Sequence, residues 1–510
     1  MTREEAIDGS TIGRSLRWSF GLGTVAAVLQ FLLAAALARF LAPEDYGVVA
    51  AGAGVLRFLQ YLADLGVAQT ATQKSDFDRT RDAPILFAVT VAVNVAIVLL
   101  VWVMAQALAG PAGLGQEGVA ILRVQALGLV AIAAAQTGLG LLRRDLDFRG
   151  IGLLTLAAQA VGQGAVALPL AYAGYGPWSL VAGTLAQCGT LAALVLARVR
   201  HPLLPRRFDP ARLGVLAVRA SGFSVLRLLD SAGLHTLPVI VLTLGGVAAA
   251  GLWDRAFVLT LIPLEMLYGT VGHVLFPAFS QLGSDPEKLR RSWLSVLLLL
   301  PCIAAAIAAG IAAAAGPLVA VAFGPAWAQA EGPVFWLALW AAARSVVQLC
   351  GALLEGSGRL GQRGAVQAGY LMLLFSALAL VRPHTAPQTA RLLLAVDLLG
   401  LVPLVTVAAR SCGASPRDAF ARLALATLPA PVVGLAVHTT ASVLQAMAAP
   451  ATVTLLGAVG SGAVALVVSI AFHPSCELRR AIVRRALGDT LAMDVECGGP
   501  AARLMRFLER

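Results

Sequence analysis

Residues 18–41 read WSFGLGTVAAVLQFLLAAALARFL, twenty-four residues with Arg39 as their one charge and no proline. A helix needs about 20 apolar residues to cross a hydrocarbon layer of ~30 Å, and this stretch supplies them. It also exceeds the apolar region of about 7–15 residues found in a cleaved leader. It is therefore expected to be a retained first membrane helix behind a leader bearing Arg3, Arg14 and Arg17.

The pattern recurs to the end of the chain. Of 510 residues, 59% are hydrophobic and 13% charged, with mean hydropathy +0.82; a soluble chain carries about a quarter charged residues. The predicted spans are 18–41, 47–66, 84–109, 118–141, 151–173, 177–198 and 219–244, then 247–272, 293–315, 334–355, 365–381, 391–409, 423–448 and 451–472. The fold class that follows is an all-α membrane protein of about fourteen transmembrane helices. No connector is long enough to fold as a catalytic domain of its own. Trp18, Trp178, Trp293 and Trp327 fall at span ends, where interfacial anchors are expected.

Net charge is +11, and 36 of the 38 basic residues are Arg. Thirty of them lie in alternate connectors, among them Arg143, Arg144, Arg149 and the tail from Arg479 to Arg510; three lie in the others. Basic residues concentrate on the cytoplasmic side, which predicts a multi-pass bacterial cytoplasmic (inner) membrane protein with both termini inside. The arginines come without an aromatic platform or a recognition helix, so nucleic acid is not an expected partner. The six cysteines have no metal-ligand spacing.

Two connectors echo each other. Ser75-Asp76-Phe77-Asp78-Arg79-Thr80-Arg81 and Ser284-Asp285-Pro286-Glu287-Lys288-Leu289-Arg290 share Ser, Asp, acid, base and Arg at matching places. Each serine is expected to cap the following helix, with the acid three residues on completing the box. Leu141-Leu142 through Arg149-Gly150 recurs as Leu353-Leu354 through Arg363-Gly364. The echoes set spans 1–6 opposite spans 7–12 as parallel repeats with a binding site expected between them. The organisation expected is an N-lobe at 1–200, a C-lobe at 201–412, two extra helices at 413–473 and a basic cytoplasmic tail at 474–510.

Several motifs carry a resemblance. They are Leu41-Ala42-Pro43-Glu44-Asp45-Tyr46-Gly47 with Asp64-Leu65-Gly66, Leu142 through Arg149, and Gly174-Tyr175-Gly176-Pro177-Trp178. Gly251-Leu252-Trp253-Asp254-Arg255-Ala256, Leu275 through Ser280, and Gly356-Ser357-Gly358-Arg359 follow. In order and spacing the chain resembles the polysaccharide-transport (Wzx-type) flippases of the multidrug/oligosaccharidyl-lipid/polysaccharide exporter superfamily. The resemblance implies two pseudo-symmetric six-helix lobes around a central cavity, two extra helices, and export of a lipid-linked oligosaccharide. The chain departs from its relatives at His235-Thr236-Leu237, near which they often carry Asp, and at Trp253-Asp254, where they tend to have Tyr-Ser.

Charges inside apolar spans are costly, about 2.5–3.5 kcal/mol each on insertion scales, so they face cavities or each other. Arg57 and Asp64 share a face of the second span, and Arg227 and Asp230 are three apart in the seventh. Asp254 and Arg255 open the eighth span, with Glu265 deeper; Arg123, Arg344 and Asp397 have no partner on their own helices. Mutual pairing is one reading of these groups. The other is a cationic cavity in which Arg123, Arg344, Arg57, Arg255 and Arg227 hold a pyrophosphate-linked sugar, since guanidinium forks onto phosphate oxygens. Asp64, Glu265 and Asp397 are then candidate proton or sodium sites. No catalytic set and no cofactor are read.

The leading expectation is a non-enzymatic flippase working by alternating access, with a polyprenyl-pyrophosphate-linked oligosaccharide, the lipid bilayer and polysaccharide-assembly proteins as partners. A drug/cation antiporter of the same superfamily is the alternative. A membrane-embedded oligosaccharide polymerase or ligase is the alternative of another class.

Overall fold

The computed structural model describes residues 9–63, 79–110, 115–145, 147–199, 229, 232–233, 236–282 and 285–475. The described residues are almost entirely helical. In hydrocarbon every backbone N–H and C=O needs an internal partner, and a helix supplies one within a single segment. Twelve helices among the described residues are long and apolar enough to cross a membrane. The chain is a multi-pass membrane protein.

Among the described residues the chain runs through α1 (Gly9–Ala38), α2 (Pro43–Ala63), α3 (Asp82–Ala109), α4 (Gly115–Arg144), α5 (Phe148–Tyr172) and α6 (Pro177–Arg198). After the stretch around 200–236 come α7 (Leu237–Leu282), α8 (Pro286–Ala313), the short α9 (Ala315–Ala322) and a 3₁₀ turn at Pro325–Ala330. Then follow α10 (Glu331–Gly356), α11 (Leu360–Val381), α12 (Ala386–Ser411), α13 (Pro416–Ala426), α14 (Pro429–Ala446) and α15 (Ala451–Ala471).

Several expectations need correction. Trp293 and Trp327 are fully buried rather than interfacial. Helix α8 begins at Pro286, so Trp293 sits two turns inside it, in a core with Leu297, Leu349 and Leu353. Trp327 packs on Phe323 with ring centroids 5.6 Å apart. The expected long connector at 316–333 is instead α9 and the 3₁₀ turn.

The expected serine cap of α8 also needs correction. The residue capping α8 is Asp285, whose carboxylate accepts from the Lys288 N–H at 3.1 Å, with Pro286 at the first helical position. An aspartate caps about as well as a serine, and Pro286, with φ already set, fixes the start of the helix immediately after it. Helix α3 starts at Asp82 behind Arg81, with no side-chain cap; Ser75 lies outside the described residues. The helices that follow the two echoed connectors, α3 and α8, are each 28 residues long. Helices α5 and α11 start 212 residues apart, at Phe148 and Leu360.

By its contacts the chain forms two compact units. One is Met1–Arg255 with Pro383–Ala386; the other is Ala256–Arg382 with Pro387–Arg510. The expected lobe boundary at 200/201 lies outside the described residues. In the first unit, small residues let helices close together, as small-residue interfaces do in membranes. A Cβ added at Gly138 would fall 2.4 Å from the Val195 side chain. In the second, α8 packs on α10 around Leu297, Leu349 and Leu353, and on α14 around Ala306, Val433 and Val437. Large apolar side chains such as Val103, Leu380 and Leu456 are exposed, as lipid-facing residues are.

Candidate functional site

The first motif folds for local reasons that can be read residue by residue. Pro43 stands at the first position of α2, where its missing N–H costs nothing. Asp45 reaches back to accept from the Ala42 N–H at 2.9 Å, half of a capping box. Tyr46 is buried, and the Arg255 guanidinium carbon lies 4.1 Å above its ring centroid. Arg255 also grips Asp254 at 2.6 Å, with the pair 13% and 30% exposed.

Gly47 and Gly251 then bring α2 and α7 backbone to backbone. A Cβ on Gly47 would lie 1.9 Å from the Val247 carbonyl oxygen, and one on Gly251 1.7 Å from that of Pro43. The Gly-Tyr-Gly-Pro-Trp turn joins them: Gly176, at φ 53°, places its Cα so that a Cβ would meet Asp45 at 3.3 Å. Three motifs separated by more than 70 residues thus converge at one end of the first unit. Gly246, at φ 84° and ψ 178°, breaks α7 beside them; glycine alone adopts that geometry freely. Asp254 and Arg255 therefore lie two turns beyond the break, not at the opening of a helix.

The opposite end of that unit holds Leu142 through Arg149. Asp147 caps the helix that follows, accepting from the Gly150 N–H at 2.8 Å, and pairs with Arg198 at 2.8 Å. The Arg198 hydrogen bond, helped by the Gly150 N–H, holds the Asp147 carboxyl below its usual range. Arg79 pairs with Asp145 alongside.

The second unit contains the buried charge. Asp397 on α12 is 1% exposed, and neither carboxylate oxygen has a partner in regular hydrogen-bond geometry. The Tyr370 hydroxyl of α11, the Trp340 indole of α10 and the Arg344 guanidinium are its interacting neighbours. Arg344 is half-buried, and its guanidinium carbon lies 5.8 Å from the Trp340 ring centroid. Arg344 and Asp397, neither with an opposite charge on its own helix, thus lie close enough across α10 and α12 to interact electrostatically.

The other sequence-derived candidates scatter. Arg123 on α4 donates from Nε to the Trp102 carbonyl of α3 at 3.2 Å, while Trp102 Nε1 donates to the Arg123 carbonyl at 2.9 Å. Arg57 is exposed on α2, and Arg255 is committed to Tyr46 and Asp254. Glu265 lies on α7, with its side chain outside the described residues, as are Arg227, Asp230 and Asp64. Among the described residues no group of His, Cys, Asp or Glu gathers as a metal site.

Sequence reasoning passed over Tyr46, Trp340 and Tyr370 as partners. Tyr46 carried a signal, its fixed place in the first motif. Trp340 and Tyr370 carried none, because hydropathy does not say which side of an apolar helix faces a charge.

The comparisons agree on family and fold. Residues 36–331 match the family model described as "Polysaccharide biosynthesis protein". A curated relative, the succinoglycan biosynthesis transport protein ExoT of Rhizobium meliloti, is 25% identical over 288 residues, 55% of this chain. That match spans about half, 56%, of the relative's length. Among solved structures, the lipid II flippase MurJ in an inward closed conformation superposes with a TM-score of 0.69 at 10% identity, covering 91% of this chain and 99% of that one. An inward-facing multidrug resistance MATE family transporter of the MOP superfamily gives 0.62 at 16% identity, covering 76% and 96%. The family model takes in the converging motifs of the first unit, and the fold likeness extends over the helices beyond it. The chain is a member of the polysaccharide biosynthesis protein family, and its fold is like those of the lipid II flippase MurJ and the MATE transporter.

Proposed function

We propose that the chain moves a polyprenyl-pyrophosphate-linked oligosaccharide across the bacterial cytoplasmic membrane by alternating access, as a flippase or exporter and not as an enzyme. The observation that carries this reading is the family match over residues 36–331, which includes the α2–α7 crossing at Gly47 and Gly251. Both termini face the cytoplasm in this reading, from the thirty-to-three distribution of basic residues. Polysaccharide-assembly proteins act before and after it.

Arg344 is the best-supported phosphate ligand of the five arginines. It is half-buried beside a neutralising carboxylate, whereas Arg255 is locked to Tyr46 and Asp254. Asp397 is the candidate for proton or sodium coupling: neutralising it releases Arg344 to bind phosphate oxygens through its planar fork. Deletion of the gene should cause lipid-linked glycan to accumulate on the cytoplasmic face, and the wild-type copy should clear it. Normal glycan levels with new sensitivity to cationic drugs would turn the reading to an antiporter.

A further inference from the structure

Helix α5 is not α-helical throughout. Residues Ala160–Ala167 form an eight-residue π-helix, and the Leu168 N–H bonds the Gln163 carbonyl five residues back. Pro169 follows directly; it has no N–H, and its ring crowds the carbonyl four residues earlier. A wider turn accommodates that ring. π segments are rare, and they are frequently found at functional sites.

The widened segment is clamped to α6. A Cβ on Gly162 would lie 2.6 Å from the Gly183 carbonyl oxygen, and one on Gly183 would lie 2.5 Å from the Ala167 Cβ. On this contact Gln163 Nε2 donates to Gln187 Oε1 at 3.1 Å, and both side chains are half-buried. A head-to-tail amide pair leaves an open carbonyl on one residue and an open NH₂ on the other. Those are one acceptor and one donor side by side, the complement of two neighbouring sugar hydroxyls. Uncharged polar side chains buried on α3–α5 are Thr90, Asn94, Gln125, Thr137 and Gln159. Among the described residues the buried charged side chains are Asp82, at the start of α3 in the first unit, and Arg363 and Asp397 in the second.

We propose that Gln163 and Gln187 form a hydroxyl-recognition point for the neutral sugar head group, separate from the phosphate-binding charges. The proposal rests on the flippase reading above. The plain alternative is that the two amides only lock α5 to α6.

The double variant Gln163→Leu with Gln187→Leu separates these roles. Removing both partners for apolar groups of similar size leaves no stranded donor, so it is nearly neutral to folding. It should therefore match wild type in membrane abundance and detergent melting temperature while failing to clear lipid-linked glycan in the deletion strain. Gln163→Ala and Gln187→Ala should each slow clearance about tenfold, the value of one hydrogen bond. Full clearance by the double variant would overturn the proposal and leave the flippase reading intact. So would clearance lost only in step with melting temperature, which is the signature of a lock. A deletion strain without accumulated glycan would sink the flippase reading and this proposal with it.

Discussion

The guanidinium of Arg255 stacks on the ring of Tyr46, 4.1 Å from its centroid, and binds Asp254 at 2.6 Å in the same gesture. Tyr46 opens α2 and Arg255 lies on α7, so one side chain ties together two motifs more than 200 residues apart. A desolvated cation–π contact contributes about 2 kcal/mol. Arg255→Ala loses it and strands Asp254 as well.

Arg255→Ala should lower the detergent melting temperature more than Tyr46→Ala does. Adding Asp254→Ala to Arg255→Ala should restore part of the loss, because the unpaired charge is gone. Equal melting temperatures for Arg255→Ala and wild type would show that the stack holds nothing.

Gly47→Ala and Gly251→Ala should each be destabilising, at the upper end of the ~1–3 kcal/mol usual for overpacking. The new methyl group would fall within 2 Å of a carbonyl oxygen, and a backbone atom has no rotamer to escape into. Gly23→Ala, where nothing lies within 4 Å, is the control and should be neutral. Membrane abundance by immunoblot compares the three.

Arg344→Ala should reduce abundance by leaving Asp397 buried without a cation, and Arg344→Ala with Asp397→Ala should recover much of it. The single loss should be about 1–3 kcal/mol, below the ~3–5 kcal/mol of a fully buried pair because Arg344 is half-exposed. Arg344→Lys should keep abundance and lose glycan clearance, since an ammonium does not reproduce the fork. Asp397→Asn should fold normally and lose clearance if ion loading drives release.

Acid should selectively weaken the Asp147 end of the first unit. The folded carboxyl titrates below its ordinary value because Arg198 binds the charged form. A depressed carboxylate stabilises fully above its unfolded pKa, near about 4, and loses that contribution as pH falls through the lower folded value. Asp147→Asn keeps the helix cap but not the ion pair. Wild type should therefore melt above Asp147→Asn at pH 7, and the gap should narrow as pH falls below the ordinary carboxylate value of about 4.

Reporter fusions after Pro111, Gly316 and Ala449 should face outside, and those after Asp76, Arg206, Gly283 and Arg485 the cytoplasm. The charge asymmetry of the connectors motivates each assignment. A cytoplasmic signal at Gly316 would overturn the orientation.

The membrane class and the helix order were legible in the residues themselves. Hydrocarbon demands long apolar helices, and that demand is written one segment at a time, as in the stretch from Trp18 to Leu41. The family motifs were equally local: Pro43, Asp45 and Gly176 act within a turn of their own positions. What a side chain faces is not local. The charge rule counted Arg363 as a connector residue, yet it is buried against Gln367. Trp293 read as an anchor and is core. Asp397 had no partner on α12, and only packing brought Arg344, Tyr370 and Trp340 to it. The π segment at Ala160–Ala167 was invisible in composition, because it depends on Pro169 and on the approach of α6 at Gly183 together. Hydropathy is nearly the same all round a membrane helix, so sequence determined which segments span the bilayer, while contacts between helices decided which of their faces meet.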